Sequence, residues 1–94
     1  MPTVIGEDAF TNSMSILPNP FNIETTIVVD LESSSHISLT CYDVIGRVAM
    51  TLADNATLSK GRHLFIFNPE EAGVYFVEMK TDKSEIVRKV LKVD

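Results

Sequence analysis

Two short runs of alternating apolar and polar residues, joined by a tight turn, most constrain the fold of this chain. Apolar side chains occupy every second position of Ile37–Tyr42, and again of Val48–Leu52. A period of two is typical of β-strands with one buried face. Between them, Tyr42–Arg47 predicts a reversal, because Asp43 can accept hydrogen bonds from nearby main-chain N–H groups and Gly46 can adopt a positive φ. The three segments together predict a strand–turn–strand corner.

Further segments show the same spacing and are separated by turn-forming residues. They are the short stretch at Met14 and Ile16, then Thr25–Leu31, His63–Phe67, Val74–Lys80 and Ser84–Val93. His63–Phe67 is apolar on both faces, which predicts a central strand. The last segment leaves its inward face open, because Ile86 and Val90 compete with Val87, Leu91 and Val93 for the core.

Two stretches are predicted to be irregular. Leu17–Asn22 contains Pro18 and Pro20, and proline has no N–H to donate to a sheet, so this stretch belongs at a sheet edge or in an extended turn. Phe21 is then available to close one end of the core. Ala53–Gly61 is rich in turn-forming residues and is predicted to be mostly connection, with Leu58 anchoring it to the core.

The spacing of these segments predicts the architecture. About seven strands with turn signals every eight to twelve residues, and no helical stripe, are typical of an antiparallel β-sandwich with immunoglobulin-like layering. A chain of 94 residues supports one modest core. We therefore predict one all-β domain over residues 13–94, preceded at residues 1–12 by a linker or a weak first strand.

Composition and charge exclude several classes of protein. Hydrophobic residues make up 45% of the chain and charged residues 22%, and no apolar run approaches the roughly 18 residues of a membrane-spanning helix. The net charge of -5 argues against nucleic-acid binding, which needs a clustered basic face. The N-terminus lacks the basic start and apolar core of a signal peptide. The protein is therefore either cytoplasmic or a piece of a longer exported chain.

No constellation of residues predicts catalysis. Cys41 is the single cysteine and continues the apolar alternation of its strand, so we expect a buried, unreactive thiol. His36 and His63 lack the further ligands that zinc requires, so no metal or cofactor site is predicted. The scattered aspartates and glutamates are expected to be solvated turn residues, with calcium binding by loop acids left open. A non-catalytic binding, structural or recognition module is the remaining class.

Several short motifs, in a fixed order, resemble those of one family. They are Pro18-Asn19-Pro20-Phe21-Asn22, Thr25-Thr26-Ile27, Tyr42-Asp43-Val44-Ile45-Gly46-Arg47, Gly61-Arg62-His63, Ala72-Gly73-Val74-Tyr75-Phe76 and Lys89-Val90. Over about residues 14–93 the chain resembles the C-terminal sorting domain of type IX secretion cargo proteins of Bacteroidetes-type bacteria. A similar set of motifs occurs in immunoglobulin-like accessory modules, glycan-binding, protein-binding or of flagellar-hook-capping type, which are the alternative.

The resemblance implies a partner set and a location. It implies an upstream cargo domain in the same chain, recognition by the outer-membrane type IX machinery, and removal by a surface sortase near the linker. The protein would be exported through the periplasm to the cell surface or beyond. The motif residues are expected to be mainly structural, with Arg47 lying over its turn; these are Pro18, Asn19, Pro20, Phe21, Asp43, Gly46, Arg47, Gly61, Gly73 and Tyr75.

For recognition, the last strand is the predicted docking element. An edge strand with an unpaired main chain and the cations Arg88, Lys89 and Lys92 offers both hydrogen-bonding groups and charge. Exposed strand edges also predict that two copies of the chain can pair as an edge-strand dimer.

Overall fold

The computed structural model describes residues 12–94, which form seven β-strands and no helix. The strands are β1 Ser13–Leu17, β2 Thr25–Leu31, β3 Ser35–Asp43, β4 Val48–Leu58, β5 Gly61–Phe67, β6 Gly73–Lys80 and β7 Glu85–Lys92. The predicted linker at residues 1–12 lies outside the described residues except for Asn12. No helix in this part of the chain is long and apolar enough to cross a membrane.

The strands form two sheets. One has three strands in the order β1-β2-β5, and the other has four in the order β4-β3-β6-β7. Every strand pair is antiparallel. This arrangement confirms the predicted all-β, immunoglobulin-like sandwich of about seven strands. It also makes β1, β5, β4 and β7 the four edge strands.

The core lies between the sheets and is built by the alternation that the sequence shows. In β2, for example, Thr25, Ile27, Val29 and Leu31 are buried, while the residues between them are half-buried. The buried hydrophobic residues are Met14, Ile16, Phe21, Ile27, Val29, Leu31, Ile37, Leu39, Cys41, Ala53, Phe67, Tyr75, Val77, Met79 and Val90. Both sheets contribute, so neither has a stable buried face without the other.

The segment Ala53–Gly61 differs from its prediction. It is not mostly connection, because β4 continues to Leu58 and pairs with β3 over this length. The ladder passes this polar stretch through register shifts, and Asn55 adopts a φ of +50° while its N–H donates to Ser38 Oγ at 3.0 Å. Bulges of this kind let turn-forming residues sit inside a strand. Leu58 packs against the core, as predicted.

The position of β5 also differs from its prediction. The apolar character of both its faces predicted a central strand, but β5 is an edge of the three-stranded sheet. Only Phe67 is fully buried, whereas Leu64 and Ile66 point outward and are exposed. Composition therefore overstated the burial of this strand. In β7 the open choice of inward face is settled, because Val90 is buried and Ile86 packs against the core.

Candidate functional site

The turn between β3 and β4 is held by the side chain of Asp43. Its Oδ1 accepts hydrogen bonds from the N–H groups of Ile45 at 3.0 Å and Arg47 at 2.9 Å. Arg47 also donates its Nε to Oδ2 at 3.0 Å, so its side chain lies over the turn. These donors lower the pKa of Asp43, the N–H of Arg47 most of all. Gly46 has a φ of +100°, which explains the glycine at this position.

The proline-containing segment closes the edge of β7. Asn19 donates its Nδ2 to the carbonyl of Lys89 at 3.0 Å and accepts the N–H of Leu91 at 3.0 Å. Phe21 then forms a parallel bridge, donating its N–H to the carbonyl of Leu91 and accepting the N–H of Val93. The edge of β7 is therefore occupied from Lys89 to Val93, and the prediction of an unpaired main chain there is wrong for this half of the strand.

Three aromatic side chains stack beneath that segment. The ring centroids of Phe21 and Phe67 are 6.0 Å apart, and those of Phe67 and Tyr75 are 5.2 Å apart with nearly perpendicular planes. The pair of Phe67 and Tyr75 is edge-to-face, a geometry that stabilises beyond the area it buries. The hydroxyl of Tyr75 donates to the carbonyl of Glu71 at 2.6 Å, and burial raises the pKa of Tyr75. Phe67 and Tyr75 are both buried in the core.

Most motif residues therefore meet at one end of the sandwich. We call it the motif end and define it as Pro18–Phe21, Asp43–Arg47, Asn68–Tyr75 and Lys89–Val93. The strand pairings join its parts, since Asp43 pairs with Tyr75 and Tyr75 pairs with Val90. Gly61 is the exception. It lies at the opposite end, pairing with Leu31, and its φ of +117° serves the turn between β4 and β5.

An open cleft of about 490 Å³ lies at the motif end. It is lined by Asp43, Ala49, Met50, Asn68, Pro69, Glu70, Glu71 and Tyr75. Although three of these residues are acidic, the described residues contain no group of three histidine, cysteine, aspartate or glutamate side chains that could hold a metal ion. The carboxylate of Asp43 is already bound by N–H groups and by Arg47.

The three cations predicted for recognition do not share one face of β7. Lys89 lies opposite Phe76 on the outer face, whereas Arg88 and Lys92 alternate with it and lie opposite Val77 and Gly73. Arg88 and Lys89 are exposed. Lys92 is half-buried and donates its Nζ to the carbonyl of Glu70 at 2.9 Å. Lys89 and Lys92 belong to the motif end, and Arg88 borders it.

The other residues with reactive side chains are engaged or buried. Burial raises the pKa of Cys41 to about 12, which leaves almost no thiolate at neutral pH. His36 Nδ1 lies 2.9 Å from Thr57 Oγ1, and His63 Nε2 lies 2.8 Å from the carbonyl of Ser59. Neither histidine contacts the cysteine through these bonds.

Sequence reasoning assigned Asn19 to the motif but missed its contact with β7. The sequence signal that was overlooked is an asparagine between two prolines. The prolines have no main-chain N–H to donate, whereas the asparagine side chain offers both a hydrogen-bond donor and an acceptor. Thr25 was also missed as a buried polar residue. Its hydroxyl donates to the carbonyl of Pro18 at 2.6 Å and fixes the exit of the segment.

Together these features define an immunoglobulin-like β-sandwich module in which most of the motif residues build one end of the fold. The comparison with family models identifies the family. Residues 15–93 match the family described as the secretion system C-terminal sorting domain, so the chain belongs to this family of type IX sorting domains. No curated protein and no solved structure gives a significant match. The family consists of sorting signals and is not catalytic.

Proposed function

We propose that this domain is a non-catalytic C-terminal signal that directs a larger exported cargo protein through the outer membrane by the type IX secretion machinery. The observation that carries the proposal is the family match over residues 15–93. The gathering of its motif residues at one end supports it further, because residues far apart in sequence together build one surface there. A sorting signal that is recognised through its folded surface requires a rigid element of this kind.

We assign recognition to the motif end, with Lys89, Lys92 and the bordering Arg88 as the contact residues. Acidic residues outnumber basic ones in the chain as a whole, whereas β7 carries three basic residues within five positions. Because Asn19 and Phe21 occupy the edge of β7 here, the machinery would contact side chains of this surface rather than add a strand to it.

Residues 1–12 serve in this proposal as the linker between cargo and domain, and residues 13–94 as the sorting domain. Removal by a surface sortase would then cut within or before the linker and release the cargo to the cell surface or the medium. Mass spectrometry of a surface-exposed reporter would locate the cut. A cut inside β1 or beyond would contradict this division.

The sorting function is tested by fusing the 94-residue chain behind a periplasmic reporter in a host with the type IX machinery. We expect the reporter at the cell surface or in the medium. The same reporter without the chain should stay in the periplasm. If the fused reporter also stays there while the domain is folded, the chain is not a sorting signal.

The recognition surface is tested separately by reversing charge at the two ends of the β6–β7 hairpin. The double variant Lys89→Glu/Lys92→Glu changes the motif end, and Lys80→Glu/Lys83→Glu makes the same charge change at the far end. We expect the first to retain the reporter in the periplasm and the second to export it. Equal export of both folded variants would reject these contact residues and leave the sorting function intact.

A further inference from the structure

The exposed apolar residues of the domain are concentrated at the motif end. Of the ten large hydrophobic residues that are exposed among residues 12–94, four belong to the motif end and four more lie within two residues of it. They are Val44, Ile45, Leu91 and Val93, and then Leu17, Ile23, Val48 and Ile66. The opposite end is closed by polar connections at residues 32–34, 59–60 and 81–84. Single exposed apolar residues are ordinary, whereas their concentration in one place indicates an interaction site.

The most exposed hydrophobic residues of the motif end form the tip of the turn between β3 and β4. Val44 and Ile45 are 70% and 74% exposed. They are the two central residues of the turn, since Gly46 donates its N–H to the carbonyl of Asp43 at 3.0 Å. Glycine, proline and short polar residues usually hold such positions. Neither Val44 nor Ile45 belongs to the core or packs against it, so the fold itself does not require this apolar pair, which we call the turn tip.

The turn holds its tip in one conformation. The carboxylate of Asp43 accepts the N–H groups of Ile45 and Arg47, and the main-chain N–H of Asp43 donates to the carbonyl of Arg47 at 2.9 Å. Valine and isoleucine also have few accessible side-chain rotamers. Fixing the turn tip against a partner therefore costs little conformational entropy, which favours binding.

A cation with free donor groups lies beside the turn tip. Among the described residues, the side chain of Arg47 donates only its Nε, to Oδ2 of Asp43 at 3.0 Å, and it is 74% exposed. This ion pair orients the guanidinium group and leaves both Nη groups available. A guanidinium in a fixed orientation is suited to binding a carboxylate. The complementary partner is therefore an apolar pocket with an acidic group at its rim.

The charges of the motif end favour a protein over a lipid surface as that partner. The three basic and three acidic residues of this end are Arg47, Lys89, Lys92, Asp43, Glu70 and Glu71. Because they balance, the end gains little attraction to an anionic bilayer, which requires clustered lysine and arginine. Glu70 and Glu71 also line the same cleft as Asp43, so insertion of the turn tip among lipids would bring their carboxylates towards the headgroups. A protein pocket can receive the turn tip and leave these carboxylates in water.

We propose that the turn tip inserts into an apolar pocket of the secretion-machinery protein that receives this domain, where an acidic group of that protein pairs with Arg47. This contact rests on the proposed sorting function. It adds a second point of contact to the cations of β7. Exposed charges mainly steer an encounter, whereas the apolar contact removes hydrophobic surface from water and supplies affinity.

Export of the reporter fusion tests the turn tip. Val44→Ser/Ile45→Ser removes its apolar side chains. Leu64→Ser/Val87→Ser is the matched control, because these two residues are 63% and 48% exposed and lie away from the motif end. We expect about ten-fold less reporter at the cell surface for the first variant, and a change of less than about two-fold for the second.

Circular dichroism and urea denaturation establish that both variants are folded before export is compared. Equal export of the two folded variants would overturn the proposed contact and leave the sorting function intact. If the parent fusion itself is not exported, the sorting function fails and this contact fails with it.

The acidic group of the partner is tested by Arg47→Gln. Arg62→Gln is the matched control, since it removes the arginine of another exposed ion pair, with Asp30, at the opposite end of the sandwich. We expect export to fall by about five-fold for Arg47→Gln, as for the loss of one charged hydrogen-bonded pair, and to stay near the parent level for Arg62→Gln. Equal export of the two folded variants would reject the pairing with Arg47, and the proposal as stated.

Competition separates a protein pocket from the other possible occupants. A second copy of the chain without a reporter, produced in the same periplasm, should reduce export of the fused reporter, because a limited number of pockets becomes saturated. The copy with Val44→Ser/Ile45→Ser should compete much less, and equal competition would overturn the proposal. Binding of the parent chain to vesicles of phosphatidylethanolamine and phosphatidylglycerol, lost in this variant, would identify a lipid occupant instead. A dimer in sedimentation equilibrium that the same variant abolishes would identify a second copy, and either result would also overturn the proposal.

Discussion

The main-chain N–H of Leu91 donates a 3.0 Å hydrogen bond to the side chain of Asn19, which lies 72 residues earlier in the chain. The same amide donates to the carbonyl of Lys89, so one side chain replaces the two main-chain groups that a neighbouring strand would supply. Because Asn19 follows β1 and Leu91 belongs to β7, this contact links the two sheets. It also fixes the position of β7, the strand that carries the cations assigned to recognition.

Replacing Asn19 by aspartate should therefore destabilise the fold. The variant keeps an acceptor for Leu91 but loses the donor to Lys89 and places a carboxylate beside a carbonyl oxygen. We expect the free energy of unfolding to fall by about 1–2 kcal/mol. Urea denaturation followed by circular dichroism measures the loss. Asn22→Asp, at an exposed site, adds the same charge and should change stability by less than about 0.5 kcal/mol. If both variants lose the same stability, the contact between Asn19 and β7 does not stabilise the fold.

The central ring of the aromatic stack should contribute more to stability than its neighbour on the same strand. Phe67 is buried between Phe21 and Tyr75, so Phe67→Ala removes two ring contacts and leaves a cavity. We expect a loss of about 3–5 kcal/mol in thermal or chemical unfolding. Phe65→Ala removes the same atoms from a half-buried site and should lose clearly less. The reverse order of these two losses would contradict the described core.

The turn carboxylate should give the fold an acid-sensitive contribution to stability. In the folded chain the pKa of Asp43 is lower than its ordinary value of 3.8, chiefly because the N–H of Arg47 binds the carboxylate. The unfolded chain therefore takes up this proton first as the pH falls. The contribution is present above about pH 4 and is lost as the pH falls through the depressed pKa.

Denaturation midpoints between neutral pH and pH 2 should accordingly fall less steeply for Asp43→Asn than for the parent chain. Asp30 contributes in the same direction, since its pKa is lowered by Arg62. Asp54→Asn, at an exposed position of β4, removes one carboxylate outside the turn and serves as the matched control. An unchanged slope in Asp43→Asn would mean that the turn does not hold the carboxylate in solution.

The thiol of Cys41 should be inert in the folded protein. It is fully buried, and its pKa of about 12 leaves almost no thiolate at pH 8. We expect a disulfide reagent such as DTNB to react with Cys41 only after unfolding in guanidinium. One equivalent of thionitrobenzoate should then be released per chain. Rapid reaction of the folded chain, at a rate close to that of free glutathione, would show that this strand opens or is misplaced.

The sequence predicted most of the fold because local patterns dominate it. The alternation in β2, β3 and β6 and the turn at Asp43 are determined by residues next to one another, and each appears in the structure as expected. The failures concern long-range neighbours. Nothing in the sequence of Ala53–Leu58 indicates that this polar stretch pairs with β3 through a β-bulge. Nothing in the sequence of β5 distinguishes an edge strand from a central one.

The candidate site was predictable only in part for the same reason. Ordered motifs identified the residues, but their meeting at one end depends on strand order, which brings Phe21, Phe67 and Tyr75 together from three separate segments. The contact between Asn19 and β7 likewise joins opposite ends of the chain. Spacing along the chain predicted neither. The separation of Lys89 from Arg88 and Lys92, in contrast, follows directly from the period of two of a strand.

Gly46 separates a structural role of the turn from a direct role in export. A Cβ added at Gly46 would have nothing within 4 Å, so the cost of Gly46→Ala comes from its φ of +100° alone. We expect a loss of about 1–2 kcal/mol, and a smaller one for Gly46→Asn, since asparagine tolerates positive φ better. In the reporter fusion, export should follow the folded fraction of each variant. A Gly46→Ala chain that is fully folded yet not exported would place the turn itself in contact with the secretion machinery.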